Sequence, residues 1–310
     1  MVALAAAIAG ITVVDATPAM AKKAAHGARP PVAFTHPAES SRAGASCQPE
    51  PGKTCPLTNL AWSGYVATPV SHDFASVSAN WVQTSITCPS HSDAWALFWV
   101  GLDGWSPSVS GTTVEQGGTS AQCVNGVPQY EAWWEMYPDN KIQTDMPIAV
   151  GDHISASLVY SASTDTYTVT VDDTTTGQSL VVVCSKASAS VNPNTYTVTI
   201  DGVRTGPTPF LSQNQTPESL CSPTDPCQNS SAEWVVEAPG DSSGSLYPLA
   251  RFKPVLFKQA RATDSAGDWG PISDPLWQHT AVDLANSAGT YLASVSALEK
   301  YGTRFRDIRD

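Results

Sequence analysis

The sequence predicts an all-β protein, a sandwich of two sheets, and three observations carry that prediction. From Trp62 onward, short runs rich in Val, Thr, Tyr and Trp recur between clusters of Gly, Pro, Asp, Asn and Ser, the composition of strands joined by turns. Ser, Thr, Gly and Pro are spread so evenly that they interrupt every apolar stripe of helical period. No internal repeat is present at the spacing of propellers or solenoids, which leaves two packed sheets.

Along the chain, 76–82 alternates as Ser76, Val77, Ser78, Ala79, Asn80, Trp81 and Val82, turning one face to a core and the other to water. The runs 98–104 and 113–119 are strand-like, the second ending in Gly117, Gly118 and Thr119. The run 130–138 sets Glu131 and Glu135 among Trp133 and Trp134. Alternation returns in 154–160 and 166–171; after a turn over 172–178, the run 179–184 is almost continuous Leu and Val. That run is compatible with a strand buried on both faces, and 166–184 reads as a hairpin. The Pro-, Asn-, Ser- and Thr-rich span 185–231 is expected to be a loop insertion, not a second domain. The run 232–237 is a further strand. The best helical candidate, 283–288, is weak.

The 310 residues hold 16 Lys and Arg against 28 Asp and Glu, a formal net charge of -12. So few cations remove the electrostatic footprint that phosphate backbones or anionic membranes require, so neither nucleic acid nor membrane is an expected partner. Residues 2–14 are apolar, and Ala19-Met20-Ala21 before Lys22-Lys23 reads as a signal-peptidase site. Residues 1–21 are therefore expected to be a signal peptide and the protein to be secreted, although the usual basic opening of such a peptide is missing. The span 22–58 is basic and shows neither period, as in a propeptide or linker; the folded domain is then 59–310. A cationic leader over an acidic cleft would loosen as carboxylates protonate; a leader without that role is the other reading.

Seven cysteines, 47, 55, 88, 123, 184, 221 and 227, point to disulfides in an exported chain, with at least one left over. Cys47 with Cys55 and Cys221 with Cys227 have the spacing of small loop closures, and Cys88 with Cys123 could tie the segments flanking the first strong strand block. No Cys-x-x-Cys occurs and the six His are scattered, so no metal site is expected.

Period-two geometry puts Glu131, Trp133 and Glu135 on one face of their strand, and Glu233, Val235 and Glu237 on one face of theirs. If these faces are concave, carboxyls line a cleft whose aromatic walls raise their pKa, which suits proton transfer in acid. In the simpler arrangement Trp faces the core and Glu faces water. Gln116 lies within a strand-like run, where an amide can donate to an oxyanion or be an ordinary exposed residue.

An ordered set of motifs then resembles the eqolisins, the glutamic peptidase family. It comprises Trp62-Ser63-Gly64-Tyr65, Trp99-Val100-Gly101-Leu102-Asp103-Gly104, Glu115-Gln116-Gly117 with Thr119, Glu131 through Pro138, Gly151-Asp152, Thr175-Thr176-Gly177-Gln178, and Ala232-Glu233-Trp234-Val235-Val236-Glu237. The resemblance runs roughly from Leu60 to Phe305. It implies two bent antiparallel sheets of the concanavalin-like kind and a Gln/Glu dyad acting in acid. The family's glutamine matches Gln116 and its catalytic glutamate matches Glu233; Trp99, Asp103 and Glu135 match supporting positions, and Trp99, Trp133 and Trp134 are expected to line the substrate channel or pack beneath it.

The resemblance further implies that Glu233 activates water as general base, then returns the proton to the leaving amine, while Gln116 stabilises the oxyanion. No cofactor is required; a monomer acting on polypeptides is expected. Two departures from the family stand out. The span before Glu233 is long, and Gly117-Gly118 follows Gln116 where compact members have Thr then Gly. Two other classes use similar residues: a β-sandwich glycosidase built on Glu135 and Glu233, and a non-catalytic carbohydrate- or peptide-binding sandwich.

Overall fold

The computed structural model describes residues 42–43, 56–88, 93–105, 113–137, 142–185, 195–200, 203–209, 229–241 and 245–310, all within a compact unit that spans 31–310. The expected signal peptide, most of the expected leader, Cys47, Cys55, Cys221 and Cys227 lie outside the described residues.

The chain opens with β1 (Arg42–Ala43), β2 (Leu57–Asn59), β3 (Trp62–Pro69), β4 (Phe74–Val82) and β5 (Ile86–Thr87). Then come β6 (Trp95–Leu102), β7 (Val114–Val124), β8 (Val127–Tyr137) and β9 (Ile142–Pro147). A meander follows: β10 (His153–Ser161), β11 (Thr166–Asp173), β12 (Gln178–Ser185), β13 (Thr195–Ile200) and β14 (Val203–Pro209). The rest is β15 (Ala232–Glu237), β16 (Arg251–Phe252), β17 (Val255–Asp264), β18 (Trp269–Pro271), β19 (Trp277–Ala285), β20 (Tyr291–Val295) and β21 (Phe305–Arg309).

Pairing arranges these strands in two layers. One runs β9-β8-β7-β6-β15-β3-β19; the other runs β18-β17-β4-β10-β11-β12-β13-β14. β17 belongs to both, since Val255 to Phe257 pair with β21 in the first layer and Lys258 onward pairs with β4 in the second. The register shift between Lys258 and Arg261, with Gln259 at φ 52°, is the irregularity that lets one strand turn the corner between sheets.

Alternate residues of the facing surfaces fill the space between the layers: Phe98, Trp134 and Trp234 from the first, Trp81, Leu158, Val169 and Leu180 from the second. Their burial is the main favourable term in holding the layers together. Two indoles also cross the core with hydrogen bonds. Trp81 Nε1 donates to Thr119 Oγ1 at 3.1 Å and Trp234 Nε1 donates to the Ser78 carbonyl at 2.9 Å, pinning β7 and β15 to β4. The Cys88–Cys123 disulfide is present, joining the residue after β5 to β7.

Several expectations change. The helical candidate 283–288 is instead the end of β19 and the turn after it, because pairing with β3, β2 and β20 outweighs a weak local preference. β12 is buried on one face only: Leu180, Val182 and Cys184 are buried, while Val181 and Val183 are partly exposed on the outer side. The span 185–231 is not simply a loop, since β13 and β14 extend the second layer as a hairpin. The expected boundary at 58 falls inside β2, which pairs in parallel with β19 and also holds β1.

Candidate active site

Four neighbouring strands bring the candidate residues into one row. Glu135 on β8 faces Gln116 on β7, Gln116 faces Gly101 on β6, and Gly101 faces Glu233 on β15. Directly paired residues of antiparallel strands share a face, so the amide and both carboxyls emerge on the same surface, away from the core between the layers. Gln116 and Glu233 are two interstrand steps apart, roughly 10 Å between backbones, and the residue between them has no side chain. Gln116 Nε2 donates to Glu135 Oε2 at 2.9 Å. All three side chains are buried.

The next row along the same face explains why Gly101 is glycine. It runs Trp133, Gly118, Trp99, Val235 and Gly64. The Trp99 ring leans over Gly101: a Cβ there would fall 2.8 Å from Trp99 Cζ3 and 3.2 Å from Gln116 Cβ. An indole thus floors the gap between Gln116 and Glu233. Trp99 packs edge-on to Trp62, with centroids 5.1 Å apart at 81°, within a second apolar cluster that includes Trp62, Trp95, Trp105, Trp133 and Val235. Both sides of the first layer therefore carry an apolar core. Of the tryptophans expected to line a channel or pack beneath it, Trp99 and Trp133 are fully buried members of this cluster, and Trp134 is buried in the core between the layers.

Asp103 lies elsewhere. It follows β6 at φ 64°, a left-handed backbone that Asp tolerates better than most residues. Asp103 Oδ2 accepts the Asn229 N–H at 2.8 Å, and Oδ1 accepts the Ser230 N–H at 2.6 Å and the Ser230 hydroxyl at 3.0 Å. Asn229, itself at φ 41°, accepts the Tyr167 hydroxyl at Oδ1 at 2.8 Å and the Phe74 N–H at its carbonyl at 2.8 Å. The Asp103 carboxyl therefore fastens the segment entering β15, so its link to Glu233 runs through the backbone.

Behind the row, Glu115 points into the core between the layers and is fully buried. Burial, then the neighbouring Asp103 charge, pushes its pKa well above the usual carboxylate range, with Thr113 and the backbone opposing. Burial also raises Asp103 despite the donors from Ser230 and Asn229. Tyr167 is raised by burial and by the charges of Glu115 and Asp103. Burial thus favours the uncharged form of the carboxyl that backs the strand carrying Gln116.

Gly117 points into that same core, where a Cβ would come within 2.3 Å of Val169 Cγ1. The glycine that stands where compact family members carry Thr is accounted for by this contact, because Val is stiff at χ1 and yields little. Sequence reasoning passed over Glu237, whose Oε2 accepts Trp99 Nε1 at 2.8 Å, although period two had already placed it beside Glu233. It also passed over Asn229 as a structural residue, because Asn-Ser-Ser reads first as a glycosylation sequon. Among the described residues no group of three or more His, Cys, Asp or Glu side chains could hold a metal ion, and no helix is long and apolar enough to cross a membrane.

The chain is 30% identical over 177 residues to Aspergillopepsin-2 of Aspergillus niger, covering 57% of this chain and 49% of that protein, so the match spans about half of that relative. The fold superposes on scytalido-glutamic peptidase, solved with a peptide-based transition-state analog, with a TM-score of 0.57 and 21% identity over 81% of this chain and 98% of that one. It also superposes on SCP-B, a member of the eqolisin family solved with the tripeptide Ala-Ile-His, with a TM-score of 0.55 and 20% identity at the same coverage. These two superpositions establish the all-β sandwich. Residues 60–303 match the Peptidase A4 family, and over that span, most of its length, the chain belongs to this family, the eqolisins.

Proposed function

We propose that the protein is an exported acid endopeptidase in which Glu233 and Gln116 act together on a water molecule and a peptide bond. The observation that carries this reading is the row Glu135, Gln116, Gly101, Glu233, in which the amide and the carboxyl share one face across a residue without a side chain. Ionised Glu233 takes a proton from water as the oxygen bonds to the carbonyl carbon. Gln116, whose Nε2 donates to Glu135, is the proposed amide donor to the oxyanion. The tetrahedral intermediate then collapses, the carbon–nitrogen bond breaks, and Glu233 gives its proton to the departing amine.

Polypeptide is the proposed substrate, in keeping with family membership and with the peptide ligands of the two superposed proteins. Gln116 and Glu233 are fully buried, so substrate access is proposed to need a change at this face. Loss of the leader is the proposed route, and a monomer the proposed form. The glycosidase alternative fares worse. Glu135 is three interstrand steps from Glu233 and is engaged with Gln116, whereas paired-carboxylate hydrolysis needs two carboxyls flanking one bond at about 5 to 9.5 Å.

The deciding experiment incubates the full chain with unfolded casein from pH 2 to 7 and sequences the released peptides and the enzyme's own N-terminus. Cleavage confined to acid, abolished by Glu233→Gln and by Gln116→Ala, is the expected outcome. Proteolysis retained in Glu233→Gln would refute the assignment, and binding without cleavage by the wild type would favour the non-catalytic sandwich.

A further inference from the structure

We infer that Glu237 is a positioning residue for this site, acting through the Trp99 indole; the inference rests on the peptidase reading and deepens it. The contacts run in an unbroken line. Glu237 follows Glu233 by four residues on β15, on the same face and fully inside the fold. Its Oε2 accepts Trp99 Nε1 at 2.8 Å, and an N–H to carboxyl-oxygen bond buried from water is strong and directional. The other end of the same indole lies over Gly101, with Cζ3 2.8 Å from the position of a Cβ, and Gly101 stands between Gln116 and Glu233 in the register. One edge of the ring is held by a carboxylate while the other forms the floor on which amide and carboxyl meet.

Trp62 cannot do this alone. Its edge-on contact with Trp99 sets where the ring lies but tolerates rotation of the indole, because an aromatic edge has no unique partner atom. The Glu237 bond removes that freedom. A ring turned about its long axis would lift Cζ3 into the gap or withdraw it, shifting the place available to water and carbonyl. Displacements of about 1 Å in such a constellation cost on the order of 10²-fold in rate.

The test compares the wild type, Glu237→Leu, Glu237→Gln, Trp99→Phe and the Glu237→Leu/Trp99→Phe pair, each as the full chain, by steady-state cleavage of an unfolded protein in acid. Glu237→Leu should lower kcat about 10- to 100-fold with little change in KM. Glu237→Gln, whose Oε1 still accepts, should stay within about threefold. In the Trp99→Phe background, Glu237→Leu should have no further effect. Additive losses in the pair, or a Gln variant as poor as the Leu variant, would overturn the inference. If Leu is not tolerated, Glu237→Met serves as the apolar variant. A second readout needs no activity: hydrogen exchange of the Trp99 indole N–H, identified by its loss in Trp99→Phe, should accelerate in Glu237→Leu. Unchanged exchange would also overturn the inference. Failure of the wild type to cleave would instead refute the peptidase reading, while the indole exchange still reports whether Glu237 holds Trp99.

Discussion

Gln116 Nε2 stands 2.9 Å from Glu135 Oε2, across directly paired positions of β7 and β8. This bond fixes the orientation of the Gln116 amide on the face it shares with Glu233.

Glu135→Leu should therefore lower kcat by about 10²-fold, comparable to removing a donor from an oxyanion site, with a smaller effect on KM. Cleavage kinetics on a quenched peptide in acid check this. A variant that loses only substrate affinity would show that Glu135 binds substrate and does not orient Gln116.

Gly101→Ala tests the gap itself. The added methyl would lie 2.8 Å from Trp99 Cζ3, 3.0 Å from the Glu115 carbonyl and 3.2 Å from Gln116 Cβ, so the indole or the amide must move. Overpacking of this kind costs about 1 to 3 kcal/mol, which a fold of this size can tolerate. The expected result is a folded protein of lower Tm with cleavage reduced well beyond what the unfolded fraction explains. Activity retained at wild-type level would mean that the space above Gly101 is not where chemistry occurs.

The strands that carry the site were legible because period-two alternation survives wherever one face is apolar. The pair β11 and β12 followed directly from Thr166 to Cys184, and the side-sharing of Glu233 with Glu237 from counting by two. What period two could not supply was register between distant strands. That Gly101 separates Gln116 from Glu233 depends on pairing across 132 residues of chain, from Gly101 to Glu233, which no local pattern encodes. Asp103 escaped for a different reason: a left-handed residue at a strand end breaks the alternation, so its side chain leaves the face that counting assigns it. The hairpin strand β13 had a signal that was passed over. Its Thr-Tyr-Thr-Val-Thr-Ile repeats the Thr-Tyr-Thr-Val-Thr-Val of β11 almost letter for letter, but it lies within a span whose composition argued for a loop.

Asn229 provides a test of the segment entering β15. It is a sequon by spelling, yet it is 3% exposed, with its Oδ1 accepting Tyr167 and its N–H given to Asp103. A glycan cannot be added there without breaking these contacts. Protein made in a glycosylating host should carry no sugar at Asn229 by peptide mass spectrometry. Tyr167→Phe should cost about 1 kcal/mol in stability through the lost hydrogen bond, and more than that would show that the unpaired Asn229 oxygen is not rehydrated.

Stability should be greatest in acid, because several buried carboxyls hold their protons more tightly folded than unfolded. Asp283 is pushed up to about 6, chiefly by burial, with the Val295 N–H opposing and the Asp310 charge adding. Burial also raises Asp307 well above the usual carboxylate range, opposed by Ser63 and reinforced by Asp283 and Asp310, and burial raises Glu115 too. A raised folded pKa stabilises fully below the unfolded value, near 4, and that contribution is lost as pH climbs through the folded value. Asp173 works the other way: burial would raise it, but Thr176 and Thr175 donors hold it low, so its contribution fades in acid. His279, which burial holds below its usual range, acts in the same direction, but these two groups stand against four, since Asp103 is raised as well. The Tm should therefore fall from about pH 4 toward pH 7. Asp307→Asn, which removes a carboxyl that neutral pH tries to ionise inside the core, should raise Tm at pH 7 relative to the wild type and leave it similar or lower at pH 4, flattening the curve. Thermal unfolding monitored by circular dichroism across this range measures both slopes; a wild-type Tm that climbs steadily to pH 7, or an Asp307→Asn variant with an undiminished slope, would show that these buried carboxyls do not set the pH dependence.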